Sequence, residues 1–488
     1  MISFILCIPM LVMSQQETFI KSITEGNFSV NPYMIEKGLQ GPVVCGFKSK
    51  RNPDRSYFFC DEFDEFGNKI KTDSLLYSTD FYLFSTDDNR PTRIDNKLFW
   101  FRRSNSGHLF FSIDLTTLSI TRLDTINFDS IGFYPNHLKY IAENQYFLAG
   151  FVNNQISETE IFSDLAIAKV DEGQIDLYVE KKEEETNDLG RYILKASNDT
   201  IRVLSNFIRS TVGIQVSEFD FDLNKTDSLQ TDIFFPRIGR IYDGLEDSRG
   251  GYAFVSRSAY DFDNLVSYIS KDGSEYWNKE IGHNLNAGNR SKLSSIIESH
   301  DKKGFVFVGS DLTVDIEVDS FFSYAVVGKI SRDGETEWYR KYKLIDSTYA
   351  EHEFYDITYA NDGGYYLTGK LRSFDTTETE PVKLILAKVD SMGRIDDYTN
   401  IESTNISSNV FSIAPNPFTN QINLSQTTNH DVEYKIFNLH GVMMDSFKMS
   451  NENQDRIINT QYYPPGMYFI KAFIENELIK SEKVLKIE

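Results

Sequence analysis

The sequence predicts an all-β fold, namely a seven-bladed β-propeller followed by a small immunoglobulin-like β-sandwich. Three observations indicate this fold. Aromatic residues make up 14% of the 488 residues, with 38 Phe and 27 Tyr, and they suit a half-buried pleated surface. A turn motif recurs along most of the chain, between runs of alternating apolar residues. Roughly the last 78 residues form short alternating strands with turn punctuation, outside that repeat.

The repeated unit is a run that ends in glycine, a variable loop, a second apolar run, a turn and a third run with an aromatic residue. The clearest turn is Ile330–Trp338, which reads ISRDGETEW. There the Ser331 side chain can accept backbone N–H groups, and Gly334 tolerates a positive φ. Seven such turns follow one another at spacings of 48 to 61 residues, and their anchors are Asp64, Asp114, Asp171, Asp222, Ser270, Ser331 and Asp390.

Seven units of about four short strands each are typical of a β-propeller, because a ring of sheets buries faces that a single sheet leaves open. The segment Phe19–Ile23 is similar to the third runs Trp277–Ile281 and Trp338–Tyr342, and no full unit precedes it. We therefore expect it to complete the last blade and close the ring, which removes exposed strand edges. Because the early units are faint, six and eight blades are the alternatives.

Residues 1–14 are apolar, uncharged and too short to span a bilayer, and they predict a secretory signal peptide. No other stretch is apolar for long enough to cross a membrane. Cys45 and Cys60 flank a turn-like segment centred on Asn52–Pro53, so a hairpin would place them opposite each other. They are expected to form a cross-strand disulfide in an oxidising compartment, or to be two buried free thiols.

The chain is acidic, with 72 Asp and Glu against 50 Lys and Arg and a net charge of −22. This charge repels phosphate backbones and anionic lipids, so neither nucleic acid nor a membrane surface is an expected partner. Solubility is the simpler explanation of the acidity.

One segment has the spacing of a calcium loop, in which alternate side-chain oxygens wrap the ion. Its oxygen-bearing residues are Asp220, Asp222, Asn224 and Asp227. Lys225 occupies the place where such a loop usually has glycine, and Asp222 is already explained as a turn anchor. Calcium is therefore a candidate ligand only, and no other cofactor is expected.

The sequence contains no evident catalytic constellation. Ser270–Trp277 comes close to the Asp box of sialidase-like propellers, but that box is a turn and not an active site. The seven histidines never fall at HxxxH spacing, and neither a GxSxG elbow nor a Walker A loop occurs. We expect a non-catalytic protein that binds an unknown extracellular ligand. The alternative is a propeller hydrolase of the glycosidase or sialidase kind, with two carboxylates about 5–10 Å apart in the central funnel.

The composition changes near Asp397, and the polar segment 398–410 predicts a linker between a propeller domain (15–397) and a C-terminal domain (411–488). Motifs of the C-terminal domain follow in a fixed order: Pro415, Asn416 and Pro417, then Tyr434 to Gly441, then Gly466 and Tyr468, then Lys480 in a lysine-rich last strand. In this the domain resembles the type A C-terminal sorting domain of the type IX (Por) secretion system. The resemblance implies export by the type IX machinery, followed by release or attachment at the cell surface.

The repeats themselves are similar to the DGGY…G and KVDxxGxxW propeller repeats that are often joined to such sorting domains. This second resemblance implies the fold and not an activity, because propellers host many functions.

Overall fold

A computed structural model describes residues 18–50, 55–77, 91–104, 107–142, 145–155, 161–180, 187–196, 200–208, 212–230, 238–258, 264–281, 292–315, 320–345, 349–374, 381–395, 411–426, 432–438, 442–450, 455–474 and 477–487. The predicted signal peptide and linker lie outside these ranges. The chain divides into two compact units, residues 1–399 and 400–488. None of the described residues form an apolar helix of the length that a bilayer requires.

The first unit is built of strands that pair with their neighbours in chain order. A short 3₁₀ helix, Asp129–Ile131, precedes the tenth of them. The strands are β1 (Phe19–Ile23); β2 (Ser29–Lys37), β3 (Pro42–Lys50), β4 (Arg55–Phe63), β5 (Lys69–Tyr77); β6 (Thr92–Ile94), β7 (Lys97–Ser104), β8 (Gly107–Asp114), β9 (Ser119–Ile126); β10 (Phe133–Ala142), β11 (Gln145–Gln155), β12 (Ile161–Asp171), β13 (Gln174–Val179); β14 (Asn187–Ala196), β15 (Ile201–Ile208), β16 (Val212–Phe219), β17 (Lys225–Gln230); β18 (Ile238–Glu246), β19 (Tyr252–Ser258), β20 (Asn264–Ile269), β21 (Tyr276–Ile281); β22 (Lys292–Glu298), β23 (Gly304–Asp315), β24 (Ser320–Ser331), β25 (Thr336–Tyr342); β26 (Tyr349–Tyr359), β27 (Tyr365–Ser373) and β28 (Lys383–Val389).

These strands make four-stranded antiparallel groups, which we number along the chain. Groups one to five are the sheets β2–β5, β6–β9, β10–β13, β14–β17 and β18–β21. Group six is β22–β25, and group seven is β26–β28 with β1 at its outer edge; a short parallel pairing of β24 with β26 joins these two groups into one sheet. β1 pairs with β28 from Phe19, opposite Lys388, to Ile23, opposite Leu384. The prediction that the N-terminal strand completes the last group is therefore confirmed.

The described hydrophobic clusters lie between consecutive groups. Each of six clusters combines residues of two consecutive groups, from the cluster between groups one and two to the cluster between groups six and seven. A further cluster packs Val30 and Ile35 of group one against Tyr366 and Leu386 of group seven. Both faces of each sheet are thus covered by its neighbours, in a closed all-β, propeller-like series.

The turn between the third and fourth strands explains the recurring motif. Its first residue accepts backbone N–H groups of its own turn through a side-chain oxygen, as seen at Asp64, Asp220, Ser270, Ser331 and Asp390. The fourth anchor is Asp220, so the prediction of Asp222 was wrong by two residues. The reason is the backbone pair from Asp220 N to Asn224 O at 2.9 Å, which closes the turn at Asp220.

The glycine of this turn lies against the outer strand of the preceding group. The pairs are Gly67 with Phe19, Gly273 with Leu229, Gly334 with Trp277 and Gly393 with Trp338. Gly334 has a φ of +81°, and a Cβ there would lie 3.0 Å from the Trp277 ring. Glycine is needed for the backbone conformation and for the close approach. Phe19 takes the place that tryptophan takes in other groups, which explains why β1 is similar in sequence to those strands.

Cys45 and Cys60 lie opposite each other in the hairpin of β3 and β4. They form a disulfide with an S–S distance of 2.06 Å. Both residues are fully buried in the cluster between groups one and two.

The second unit has two antiparallel sheets that share one hydrophobic core, which includes Leu424, Tyr434 and Ile470. The smaller sheet has the order β29-β30-β33 and the larger one β32-β31-β34-β35. Their strands are β29 (Phe411–Ala414), β30 (Gln421–Gln426), β31 (Val432–Asn438), β32 (Met443–Met449), β33 (Asp455–Asn459), β34 (Gly466–Ile474) and β35 (Glu477–Lys486).

The substitution Gly334→Ala should lower the free energy of unfolding by about 2–3 kcal/mol, because it strains the backbone and crowds Trp277. Gly173→Ala is the matched control, since Gly173 has the same φ of +81° but nothing within 4 Å of an added Cβ. We expect it to cost only about 1 kcal/mol. Denaturant unfolding of the two variants measures the difference, and equal losses would contradict a stabilising role for the turn-to-tryptophan contact.

Candidate functional site at the inner strands

The first strands of neighbouring groups contact one another, and we call these strands the inner strands. β10 contacts β6 on one side and β14 on the other. From there each inner strand contacts the next one, namely β14 with β18, β18 with β22, β22 with β26 and β26 with β2. Arg93 of β6 donates to Glu36 and to the carbonyl oxygen of Lys37, which connects β6 to β2. Side chains of these inner strands from different groups can therefore meet.

Most inner strands have a bulge at a shared position. The extra residues there include Tyr33, Asn136, Tyr242, Ser294 and Tyr355. Opposite the bulge, the second strand often has a glycine. A side chain at that position would bring its Cβ into collision with a carbonyl oxygen of the inner strand, as at Gly46, Gly150, Gly309 and Gly369. This contact explains the repeated run that ends in glycine. Bulges re-aim side chains, so the extra residues are candidates for contact with a ligand.

The residue after the bulge connects neighbouring groups. Its side chain accepts a hydrogen bond from the main chain of the next inner strand, at 2.8 to 3.2 Å, in the pairs His137 with Ile193, Asp243 with Ile296 and Asp356 with Ile35. Asp356 also accepts the Ser295 hydroxyl and the N–H of Ile357. The buried carboxylates Asp243 and Asp356 are thus engaged in holding the groups together.

A polar and aromatic cluster lies where groups six, seven and one meet. We call it the tyrosine–lysine cluster, and its residues are Tyr33, Lys292, Glu351, Glu353, Tyr355 and Lys370. The rings of Tyr33 and Tyr355 are stacked with centroids 6.0 Å apart. The Lys292 ammonium lies 5.9 Å from the Tyr355 centroid and 4.9 Å from that of Tyr242 in group five. It therefore reaches across the inner face between groups five and seven.

Lys370 organises the acidic part of this cluster. Its Nζ lies 3.0 Å from Glu351, 3.4 Å from Glu353 and 5.4 Å from the Tyr355 centroid. Burial acts to lower the pKa of Lys370, but the charges of Glu353 and Glu351 outweigh it and the pKa is raised. The ammonium therefore stays charged at any physiological pH.

Three residues beyond the bulge, two inner strands carry a charged residue whose pKa is shifted. Burial raises the pKa of Glu36 to about 7; the charge of Asp356 adds to the rise and Arg93 opposes it. Burial lowers the pKa of Lys139, and Asp243 opposes that change. The interaction of Lys139 in group three with Asp243 in group five again crosses the inner face. A carboxyl group that titrates near neutral pH can exchange a proton with a ligand.

The propeller-hydrolase alternative requires two carboxyl groups, and Glu36 and Asp356 are the candidates for them. Asp356 is 6% exposed and holds three hydrogen bonds, whereas the Glu36 side chain is 27% exposed. The two carboxyl groups therefore differ in access, and only Glu36 is open to solvent.

In the calcium candidate, the carboxylates of Asp220 and Asp227 accept hydrogen bonds from neighbouring residues. Asp220 uses one carboxylate oxygen for the N–H groups of Asp222 and Asn224 and the other for the Asn224 amide. Asp227 accepts the N–H of Ser228. Within the described ranges, no group of three or more His, Cys, Asp or Glu side chains is placed to hold a metal ion. The spacing that suggested calcium is explained by the turn.

In the second unit, the first sorting motif is fixed to the last strand. Asn416 Oδ1 accepts the N–H of Leu485 at 2.9 Å, and Phe418 N donates to the Leu485 carbonyl oxygen. The Lys486 ammonium, in a residue only 6% exposed, donates to the carbonyl oxygens of Thr419 and Thr460. Motifs that are about 70 residues apart in sequence thus meet at one place.

The other sorting motifs serve the same core. The Tyr434 hydroxyl donates to Gln426, and the Tyr468 hydroxyl donates to the Pro464 carbonyl oxygen. Lys480 lies opposite Ala472 in the pairing of β34 with β35, whereas Gly466, at the start of β34, lies opposite Lys486. Gly441 and residue 488 lie outside the described residues.

Residues 412–487 match the family described as the secretion system C-terminal sorting domain. The second unit is thus a type IX sorting domain, and the protein is secreted or displayed at the cell surface. No curated protein matches the chain at a significant level.

Several solved structures are similar to the chain at low identity. They include the β-propeller domain of the Trilobed protease from Pyrococcus furiosus (TM-score 0.39, 11% identity, 78% of this chain and 100% of that one). The polysaccharide lyase Uly1 (0.43, 8%, 77% and 100%) and a neuraminidase-like protein from A/bat/Guatemala/164/2009 (0.36, 8%, 80% and 98%) are further examples. These likenesses are too remote to carry an argument, so the description of the first unit depends on its own strand pairing.

Sequence reasoning found the turns and missed the inner-strand residues. Tyr33, Lys292 and Tyr355 lie 13, 17 and 14 residues before the glycine that ends the run in their units. The repeated glycine was the available signal, because it marks the bulge one strand earlier.

The substitution Glu36→Gln should make stability less dependent on pH. Since folding raises the Glu36 pKa from 4.5 to about 7, the native state favours the protonated form. Its contribution is complete below pH 4.5 and is lost as the pH rises through 7. We expect E36Q to raise the free energy of unfolding by about 1–3 kcal/mol at pH 8 and to change it little at pH 4.

Urea unfolding at pH 4, 6 and 8 measures this effect. Glu335→Gln, at an exposed turn position, is the control and should follow the wild type throughout. A pH dependence of E36Q that equals that of the wild type would show that Glu36 is not the titrating group.

Proposed function

We propose that the seven four-stranded groups are the blades of a seven-bladed β-propeller. The chain of inter-group clusters supports this count, because it returns from group seven to group one. We further propose that the second unit is an immunoglobulin-like sandwich, since two antiparallel sheets enclose its single core.

We propose that the exported protein is a non-catalytic binding protein and that its ligand site lies at the inner strands. One observation carries this proposal. The described inner-strand carboxylates are mostly engaged: Asp243 and Asp356 by main-chain N–H groups, and Glu351 and Glu353 by Lys370. Engaged carboxylates hold the site in a fixed shape, which favours binding, but they are poor nucleophiles and bases.

A propeller hydrolase is the second candidate, and Glu36 favours it. Its pKa of about 7 suits a general acid, because burial and, to a smaller extent, the charge of Asp356 favour the protonated form. In that case Glu36 would donate a proton to a leaving group. Asp356 would have to serve as the second carboxylate in spite of its three hydrogen bonds.

Removal of residues 411–488 should leave the protein in the periplasm, because the sorting domain is the part that the type IX machinery handles. Immunoblots of periplasm, cell surface and medium measure its distribution. As a control, residues 400–488 fused behind a periplasmic reporter should carry the reporter out of the cell. Normal secretion of the truncated chain would contradict this assignment of the export signal.

The two candidate functions predict different outcomes with saccharides. The chain from residue 15 onwards, incubated with neutral hexasaccharides, hexagalacturonate and sialyllactose, should release no more reducing ends or sialic acid than E36Q does. Release by the wild type that falls about 100-fold or more in E36Q would establish the hydrolase and refute the non-catalytic proposal.

A further inference from the structure

We propose that the tyrosine–lysine cluster binds a neutral glycan through neighbouring hydroxyl groups of one sugar ring. This inference depends on the proposed ligand-binding function and names the ligand class. Its support comes from the access, hydrogen-bonding capacity, charge and aromatic surface of this cluster.

The cluster is accessible although it lies at the inner strands. The side chains of Glu351 and Lys370 are 28% and 17% exposed. Tyr33, Tyr355 and Lys292 are each half-buried. Water therefore reaches these side chains where groups six, seven and one meet, and a ligand that replaces the water can contact several of them together.

The ion pair of Glu351 with Lys370 suits a pair of neighbouring hydroxyl groups. Each sugar hydroxyl both donates and accepts, and a carboxylate beside an ammonium offers both roles. The two charged atoms lie 3.0 Å apart, close to the spacing of adjacent hydroxyl oxygens on a pyranose ring. Glu353 also contacts Lys370, and Ser294 reaches Glu353 at 3.5 Å. The pair is thus held in position before any ligand arrives, which lowers the cost of binding.

The charges of the cluster favour a neutral ligand. Lys292 and Lys370 balance Glu351 and Glu353, so the cluster has no net charge. The chain as a whole carries −22 and repels polyanions at long range. Uronic-acid and sialylated chains are accordingly disfavoured relative to neutral ones.

The tyrosines provide the apolar part of the site. Tyr33 and Tyr355 belong to groups one and seven and are stacked on each other. The Tyr355 ring lies beside the ion pair, since Lys370 Nζ is 5.4 Å from its centroid. Aromatic surface next to a few fixed polar groups is what the C–H face and hydroxyl groups of a sugar require.

Isothermal titration of the chain from residue 15 onwards tests this proposal. The neutral probes are maltohexaose, cellohexaose, laminarihexaose, mannohexaose and chitohexaose, and hexagalacturonate is the anionic probe. We expect at least one neutral probe to bind, with a Kd that rises about tenfold or more in Glu351→Gln and in Lys292→Gln, because each loses a hydrogen bond to a charged group.

Glu433→Gln is the matched control. Glu433 pairs with Lys435 at 3.2 Å on a strand of the second unit, and Lys435 lies over the Phe473 ring. This variant removes the same kind of ion pair beside an aromatic ring and should leave the Kd within twofold of the wild type. Unchanged near-ultraviolet circular dichroism shows that the cluster variants are folded.

Two results would overturn the inference. Binding of a neutral probe that both cluster variants leave unchanged would place the site elsewhere. Binding of hexagalacturonate alone, or of no saccharide, would refute the ligand class. Neither result removes the proposed non-catalytic function, which fails only if the wild type cleaves the probes and releases reducing ends.

Discussion

The hydrogen bond from the main-chain N–H of Ile35 to Asp356, at 2.8 Å, joins residues that are 321 positions apart in the chain. Asp356 also holds Ser295, so one carboxylate connects three consecutive inner strands where the first group meets the last. A four-stranded sheet with two apolar faces needs two neighbours, and every group in the first unit has them only because this junction exists. The pairing of β1 with β28 and the packing of Val30 against Leu386 act at the same junction. The burial of the outward faces of groups one and seven thus depends on a closure made from the two ends of the unit.

The parts of this arrangement that the sequence predicted are those in which each unit repeats the same contact. Gly334 and Trp338 each make such a contact, Gly334 with Trp277 of the preceding group and Trp338 with Gly393 of the following group. Because Phe19 occupies that aromatic position, the role of β1 could be inferred from its sequence. The error at Asp222 has a local cause. Two aspartates two residues apart can each anchor a turn, and only the backbone pair of Asp220 with Asn224 distinguishes them.

The candidate site could not be predicted in this way. Tyr33 and Tyr355 stack at 6.0 Å although they belong to the first and last groups. Lys292 reaches tyrosines of two other groups. Such contacts have no sequence period, because the inner-strand residues differ from unit to unit. The glycine opposite the bulge repeats in four groups, at Gly46, Gly150, Gly309 and Gly369, and it marks the position of the bulge without specifying the side chain that the bulge carries.

Glu36 and Asp356 show that the inner strands carry two kinds of carboxyl group, one that holds the strands together and one that remains accessible. Both are carboxyl groups in the same region, yet Asp356 accepts three hydrogen bonds and stays with the scaffold. Glu36 has Arg93 as its hydrogen-bonded partner and keeps 27% of its side chain accessible, and its pKa is raised to about 7. The scaffold uses the residue after the bulge, together with the glycine of the second strand and the outer turn contacts. The bulge residue itself is therefore able to change without loss of closure, and it is there that a propeller of this kind can acquire a new ligand.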